Sequence, residues 1–419
     1  MKKSRALGGD KAQRNAPLAQ DYTVFWRVPD PMQEIAYCPA LARLPNGRLI
    51  GNILLSDRRD PTHKTNITKV FSSDDRGKTW VHRKDMAMVN GYPFAAGRSA
   101  YVIGGMYGLT ISRSDDGGDT WSDPAVLAEG KWYSVSGSVE ESNGRIYLVK
   151  ECFAEETSSG YAPRIHAPVV MSARLGDDLT RADAWTYSNR FSFQDALREF
   201  GDPNLIGVPF YKPGSYGPGR TMGADGIGWS EANLVRIKAP EHIWHDPTGR
   251  TFHILMRADT GGTNLACLAK AVETEDGKIR VGLETAPSGA PMLYIPLPGG
   301  HGTMCIVYDE DTRLYWMAVA QSTDSMQRVE LMPPKRYALP NNERRRLALH
   351  FSKNCMDWCF AGLVAAVEDM GQSHYGAHMV IDGADLLLLM RTSDPAAKNA
   401  HDSNLITFHK VENFRKLVY

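Results

Sequence analysis

Ionisable side chains are densest in the nine residues from Ser56 to Lys64, which include two aspartates, two arginines and one histidine. An aspartic acid can protonate a leaving oxygen, and a histidine can exchange a proton near neutral pH. We therefore consider Asp57 or Asp60 as a general acid and His63 as a rival base. The alternative is a solvated charged loop.

Arginine ends two apolar strand-like runs, as Arg257 and as Arg391. A guanidinium group is always charged and can bind a carboxylate through two parallel hydrogen bonds. Because an arginine at the end of an apolar strand is hard to place in a core, we expect both to have a functional role, and such a group is suited to an anionic ligand. Arg58 or Arg59 would assist them.

Histidines stand beside glycine or polar residues at two further places. His301 lies within a Gly-Gly-His-Gly run, and His401 opens the polar run that ends at Asn404. We consider these three residues as ligand-binding candidates, and structural histidines as the alternative. His242 and His245 precede a strand and are interpreted as surface residues rather than a metal site. No nucleophile elbow, phosphate-binding loop or zinc motif occurs.

A short repeat indicates the framework that positions these residues. Ser73–Trp80 and Ser114–Trp121 share the pattern Ser-x-Asp-x-Gly-x-Thr-Trp, and their tryptophans are 41 residues apart. That spacing is about one four-stranded propeller blade. The aspartate can accept hydrogen bonds from the backbone N–H groups ahead of it, and the glycine permits a positive φ. We expect this motif to be structural.

A second repeat places a tight turn before an apolar strand, which is a hairpin signal. Its six copies predict an all-β fold, a six-bladed β-propeller of four-stranded antiparallel blades, and the long interval between residues 144 and 249 leaves room for a seventh blade. We expect a flexible segment over residues 1–20 and one propeller domain over 21–419, with a last strand near 404–411 closing the ring. The turns lie at residues 46–47, 97–98, 143–144, 248–249, 311–313 and 382–383.

The composition is that of a globular protein with a formal net charge of zero. This balance gives no footprint for nucleic acid or a membrane surface, so we expect neither as a partner. The six scattered cysteines predict free thiols in a reducing compartment. The first residues lack an apolar segment, which favours a cytoplasmic protein as written, or a secreted one if a leader has been removed.

The Ser-x-Asp-x-Gly-x-Thr-Trp pattern resembles the Asp box, or BNR repeat, of the sialidase superfamily. That resemblance implies a box between the third and fourth strands of a blade, on the rim away from the active site. It also implies that Asp57 or Asp60 is the acid/base group and that Glu231 activates a tyrosine nucleophile near Tyr375. Arg257 would then clamp a substrate carboxylate.

This sequence departs from the family in its first blade. Sialidases place there an arginine of a three-arginine clamp, whereas Tyr37 holds the matching position here. We therefore keep three hypotheses about function. The first is an exo-acting glycosidase that cleaves a terminal acidic sugar from a glycan, using no required cofactor, although a bound Ca²⁺ is compatible with it.

The second hypothesis is a polysaccharide lyase that cleaves next to a uronic acid by β-elimination. In that version His63, His301, His401 or Tyr375 would move the proton. The third is a propeller that binds an acidic oligosaccharide without turnover, since one fold can serve many functions.

Overall fold

The computed structural model describes residues 16–60, 64–105, 107–133, 137–153, 166–201, 228–260, 263–325, 331 and 343–419. Within these ranges the chain forms a β-propeller of six antiparallel blades, which we number I to VI in chain order. Six blades are therefore confirmed, and the described residues form no seventh.

The strands of each blade run from the axis outward. Blade I contains Glu34–Arg43, Leu49–Asp57, Ile67–Ser73 and Val81–Met86. Blade II contains Tyr92–Ala96, Ser99–Gly104, Leu109–Ser114 and Ala125–Ala128. Blade III contains Val139–Ser142, Arg145–Phe153, His166–Arg174 and Thr186–Tyr187.

Blade IV has a fifth, short strand paired to its third strand. Its strands are Trp229–Val235, Thr251–Ala258, Leu265–Glu273, Ile279–Gly282 and Tyr294–Pro296. Blade V contains Met304–Asp309, Leu314–Ala320, Arg346–Ser352 and Cys359–Ala366. Blade VI contains Ser373–Asp382, Asp385–Ser393, Leu405–Val411 and, from the start of the chain, Thr23–Arg27.

The outermost strand of each blade is less buried than the second and third strands. The innermost strand of blade IV, Trp229–Val235, is buried along its whole length, whereas the outermost strand of blade I, Val81–Met86, is mostly exposed or half-buried. Apolar side chains of neighbouring blades meet between the sheets, for example where Tyr147 of blade III contacts Phe252 of blade IV. The core is therefore a set of sheet-to-sheet layers around the axis.

All six turns predicted from the second repeat join the first and second strands of a blade. The two Ser-x-Asp-x-Gly-x-Thr-Trp segments instead join the third and fourth strands of blades I and II. In the first of these, Asp75 accepts hydrogen bonds from the Thr79 amide at 2.9 Å and hydroxyl at 2.7 Å, while the Trp80 indole donates to the Gly77 carbonyl at 3.2 Å. The side chains of this motif thus stabilise the turn that the motif itself forms.

The ring closes through a clasp, the pairing of Thr23–Arg27 with Leu405–Val411. The predicted last strand is thus confirmed, and the fourth strand of its blade comes from the N-terminal region. Residues before this strand also contact the propeller, because the amides of Leu18 and Ala19 donate to carbonyls of blade V at 2.7 and 2.9 Å. Within the segment 1–20, the part from Leu18 onward is therefore attached to the propeller.

Helices are few in the described ranges. One α-helix, Phe193–Phe200, begins with a capping box formed by Ser192 and Asp195. Two short 3₁₀-helices cover Ala182–Ala184 and Phe414–Leu417. None of the described helices has the length and apolar character needed to span a bilayer. The six cysteines are free, as predicted, and five of them are buried.

Candidate active site

Three innermost strands are interrupted by β-bulges at the same level of the axis. We call these the axial bulges, and they fall between Tyr37 and Ala40, between Ser230 and Asn233, and between Tyr375 and His378. Each bulge has a residue in the left-handed region, namely Cys38 at φ 46°, Glu231 at φ 65° and Gly376 at φ 57°. A bulge re-aims the side chains around it, and here it does so in blades I, IV and VI.

The residue before each axial bulge pairs with a residue near the end of the second strand. These partners are Leu54 for Tyr37, Arg257 for Ser230 and Arg391 for Tyr375. Arg257 and Arg391 therefore occupy equivalent positions in blades IV and VI. The expectation that they end apolar strands beside the axis agrees with this register.

A cavity of about 410 Å³ lies where these positions meet. Every blade, or the segment leading into it, contributes to its wall. Cationic side chains line the side of blades IV, V and VI, and aromatic side chains line the side of blade III. The lining residues used below are Tyr37, Tyr133, Phe153, His166, Glu231, Arg257, Arg344, Arg391 and His401.

Arg391 is held in the wall by neutral groups. Its Nη2 donates to the His401 carbonyl at 2.5 Å and its Nε to the Ser403 hydroxyl at 3.3 Å. The guanidinium carbon lies 4.3 Å from the ring centre of Tyr37 and 4.4 Å from that of Tyr375. Arg344 covers the Tyr375 ring at 4.0 Å. Two guanidinium groups thus meet at one end of the cavity, stacked on tyrosine rings.

Glu231 is the carboxylate of this wall among the described residues. Its Oε1 accepts a hydrogen bond from Arg257 Nη1 at 3.2 Å. Its backbone N–H donates to Oε2 of Glu151, a fully buried residue of blade III, at 2.9 Å. Arg257 also approaches Asp259 at 3.8 Å. The third arginine of the cavity is therefore already paired with carboxylates of the protein.

His401 and Asp402 form a hydrogen-bonded dyad at the edge of the cavity. His401 Nδ1 and Asp402 Oδ1 lie 2.7 Å apart, and Arg58 Nη2 lies 2.8 Å from the other carboxylate oxygen. Burial lowers the pKa of His401 to about 3, against the opposing effect of Asp402. Burial also opposes ionisation of Asp402, but the hydrogen bonds from His401, Arg58 and Asn399 lower its pKa. The imidazole is thus neutral, with Nδ1–H donated to Asp402.

The aromatic side of the cavity consists of three rings packed together. His166 lies 5.1 Å from Tyr133 and 5.0 Å from Phe153 between ring centres. Burial, together with the charge of Arg257, lowers the pKa of His166 to about 3. Burial also raises the pKa of the Tyr133 hydroxyl. This side therefore presents neutral, largely apolar surface to a ligand.

The structure brings four of the predicted residues into the cavity wall, namely Glu231, Arg257, Arg391 and His401. Arg58 is not in the wall, but it forms an ion pair with Asp402, which in turn contacts His401. Tyr375 lies just outside the wall, is 1% exposed, and donates its hydroxyl to the His401 carbonyl at 2.5 Å.

Other candidates lie away from the wall. Asp57 forms hydrogen bonds with the Arg59 guanidinium at 2.6 to 3.0 Å, which lower the pKa of Asp57. Asp60 accepts from the amide and hydroxyl of Thr65 at 2.7 and 2.9 Å. His301 and Asn404 are buried. His63 lies outside the described residues.

Sequence reasoning missed Arg344, Tyr133 and His166. Arg344 belongs to the Arg-rich run before the third strand of blade V, so a search for arginines at strand ends passes over it. Tyr37 was noted only as the residue replacing an arginine, yet it lines the cavity. No local pattern marks Tyr133 or His166, because their position depends on how blade III faces the axis. Within the described ranges, no group of three or more histidine, cysteine, aspartate or glutamate side chains could hold a metal ion.

No protein-family model matches the sequence, and no curated protein matches it. Several solved structures share the fold. One is a protein of unknown function from Dyadobacter fermentans DSM 18053, with a TM-score of 0.51 and 11% identity over 93% of this chain and 98% of that chain. Another is the Hadza microbial sialidase Hz136, with a TM-score of 0.50 and 14% identity over 90% of this chain and 66% of that chain.

A third is the Penicillium chrysogenum α-L-arabinanase complexed with arabinobiose. It has a TM-score of 0.51 and 10% identity over 96% of this chain and 100% of that chain. At such identities the likeness is one of fold. The chain is therefore a six-bladed β-propeller whose fold is similar to those of a microbial sialidase and a Penicillium arabinanase.

Proposed function

We propose that the chain is an exo-acting glycoside hydrolase that removes a terminal acidic sugar from a glycan. The observation that carries this proposal is the meeting of Arg257, Arg344 and Arg391 in one cavity of about 410 Å³. A cavity of this size suits a small ligand. Positive charge concentrated in a concave site favours an anionic one.

Arg391 supports an anionic ligand most directly. It is buried and charged, and the contacts described above are to a carbonyl, a hydroxyl and two aromatic rings. A buried cation is costly unless an opposite charge reaches it. A sugar carboxylate would supply that charge through paired hydrogen bonds. Because guanidinium groups provide the positive charge, the proposal includes no cofactor.

The proposal that the ligand is a glycan is supported by two solved structures of similar fold. The names of the solved sialidase and arabinanase refer to enzymes that act on sugars, and the second was solved with a bound disaccharide. The aromatic side of the cavity also suits a sugar, whose ring has an apolar C–H face that can pack on Tyr133 or Phe153. We therefore infer a sugar acid rather than another small anion.

For the chemistry we assign Glu231 one of two roles: it attacks the anomeric carbon as the nucleophile, or it activates a water molecule that does so. It lines the cavity as it stands, whereas Tyr375 would first have to release the His401 carbonyl. Of the two candidate acids, Asp57 is the poorer proton donor, because hydrogen bonds from Arg59 lower its pKa. We therefore propose Asp60 as the general acid, for a leaving group that extends beyond the cavity wall. Tyr375 then supports Arg391 through their stacked contact.

Elimination next to a uronic acid is a second candidate, favoured by the His401–Asp402 dyad. In neutral His401 the Nδ1–H is donated to Asp402, so Nε2 is the ring nitrogen that carries the lone pair and would accept the proton. The nearby Arg391 would neutralise the uronate carboxylate, which makes the C5 proton more acidic. In this reaction His401 takes the C5 proton, the electrons of the C5–H bond form the C4–C5 double bond, and the C4–O bond breaks. The leaving oxygen takes a proton from water and departs as a hydroxyl group.

The test is turnover of sialosides and uronic-acid-capped oligosaccharides, followed by mass spectrometry and ultraviolet absorbance. We expect products that together gain one water, no new absorbance, and loss of turnover in E231Q. An absorbing product with no added water, lost in H401Q, would establish elimination instead. R181Q is the control for general damage, because Arg181 is exposed and lies between the third and fourth strands of blade III. Binding without any product would contradict both enzymatic proposals.

A further inference from the structure

Glu151 is a buried carboxylate that the proposed chemistry does not use. It lies on the second strand of blade III and is fully buried. Its Oε2 accepts the backbone N–H of Glu231 at 2.9 Å, and the N–H of Ala232 also bonds to this carboxylate. Both donors belong to the axial bulge of blade IV. A side chain of one blade thus binds two consecutive amides of the next.

The backbone conformation of Glu231 is unfavourable for a non-glycine residue, so these hydrogen bonds matter for its stability. Its φ of 65° lies in the left-handed region, which costs a non-glycine residue roughly 1–2 kcal/mol. The surroundings must therefore stabilise it. In blade VI the equivalent position holds glycine, Gly376, for which this conformation carries no such cost. At Glu231 the amide hydrogen bonds to Glu151 compensate for the missing glycine.

Burying an ionisable carboxyl group is unfavourable, and simple packing does not require one at this position. The charged and titratable groups facing Glu151 are Glu231 and Arg257 of blade IV, Tyr133 of the preceding segment, and its own neighbours Lys150 and Cys152. A residue placed there for the fold alone could be apolar. An acceptor there holds the bulge that carries the proposed catalytic carboxylate.

We propose that Glu151 is a positioning residue, which fixes the axial bulge of blade IV so that the Glu231 side chain points into the cavity and meets Arg257. The role rests on the function proposed above for Glu231. Glu151 acts through the backbone of Glu231 and does not touch the substrate. The feature of Glu151 that matters is therefore the side-chain oxygen that accepts the Glu231 amide hydrogen bond.

Two substitutions distinguish the effect of losing the hydrogen-bond acceptor from the effect of changing the packing. E151Q keeps an oxygen that can accept from the Glu231 amide, while E151L has a similar size and no acceptor. We expect E151L to reduce kcat on the order of 100-fold, as a misplaced catalytic group does, with KM changed less than about threefold. E151Q should restore most of that loss. An E151L variant with wild-type kcat would overturn the proposal.

The pH profile gives a readout that packing alone would not alter. Burial raises the pKa of Glu151 to about 8. Above this pH a second negative charge stands beside Glu231 and competes for Arg257, so wild-type turnover should decline. E151Q should lack that decline. If E151L does not fold, a decline near pH 8 that persists in E151Q would overturn the proposal.

Crystal structures of E151L and E151Q keep the two proposals separate. If the wild type turns over no substrate, the proposed function fails, yet the backbone at Glu231 can still be examined. We expect Glu231 in E151L to leave the left-handed region and to lose its contact with Arg257, while E151Q keeps both. An unchanged bulge in E151L would overturn the positioning role.

Discussion

Arg257 and Arg391 bring the same charge to the cavity but differ in their surroundings. Arg257 is paired with Glu231, whereas Arg391 contacts a carbonyl, a hydroxyl and two tyrosine rings. An incoming carboxylate would therefore gain more from Arg391, because it need not compete with a carboxylate of the protein. The axial bulge carries a carboxylate in blade IV, Glu231, and a glycine at the equivalent position of blade VI, Gly376, which has no side chain to pair with Arg391.

We expect R391K to weaken binding of an acidic sugar roughly 30-fold or more, because lysine cannot bind a carboxylate bidentately or stack as a plane. Isothermal titration with the sugar acid and with its methyl ester measures the effect. The ester should bind wild type and R391K about equally, since it has no charge to lose. R181Q is the control, and equal losses for acid and ester would contradict a carboxylate contact.

At the scale of elements, the turns could be predicted and the bulges could not. The motif at Ser73–Trp80 forms its turn through hydrogen bonds between residues at most four positions apart, so its sequence suffices. An axial bulge depends on the pairing of two strands and on contacts such as Glu151 to Glu231, 80 positions away. Tyr375 lies on the innermost strand of blade VI, and the direction of its hydroxyl, toward the His401 carbonyl, could not be predicted from the sequence.

The cavity was predictable in part for the same reason. Arg257 and Arg391 follow from a strand pattern, and Glu231 from a resemblance. Arg344 enters from the start of a third strand, and the aromatic side requires knowing how blade III faces the axis. The strand pattern therefore identified the two arginines that repeat between blades IV and VI, whereas Arg344 and the aromatic side chains of blade III belong to no such repeat.

We expect G77A to destabilise the protein more than G97A. Both glycines have positive φ, at 85° and 60°, so alanine costs each about 1–2 kcal/mol. A Cβ at Gly77 would also lie 2.3 Å from the Phe408 ring of blade VI, whereas one at Gly97 meets nothing within 4 Å. That overlap adds about 1–3 kcal/mol. Thermal unfolding followed by circular dichroism provides the comparison, and equal losses would contradict the close approach.

At the scale of the whole molecule, the boundary between blades VI and I holds the ring together. Asp382 of blade VI pairs with Arg43 at 2.6 Å and with Arg76 at 2.5 Å, both from blade I. The aromatic ring of Phe408 packs beside Trp80 at the same boundary. The clasp completes the outer edge of blade VI. Strand pairing within blade VI and side-chain contacts between blades VI and I therefore both stabilise the closed ring.

Removal of residues 1–27 should lower the melting temperature by at least about 5 °C, because it takes the outer strand from blade VI and exposes its edge. A synthetic peptide of residues 16–29 should restore part of this loss in a concentration-dependent way. A scrambled peptide is the control. A truncated protein as stable as the full chain would show that the clasp contributes little.

The clasp also sets a schedule for biosynthesis. Thr23 leaves the ribosome early, but its partner Phe408 is made 385 residues later. At about 5–20 residues per second, the first strand waits roughly 20–80 s for its partner. Blades I to V can form in turn during that interval, since each is built from consecutive strands. The first strand of the propeller to be made is thus the last to find its partner, and the ring closes only after Leu405–Val411 has been made.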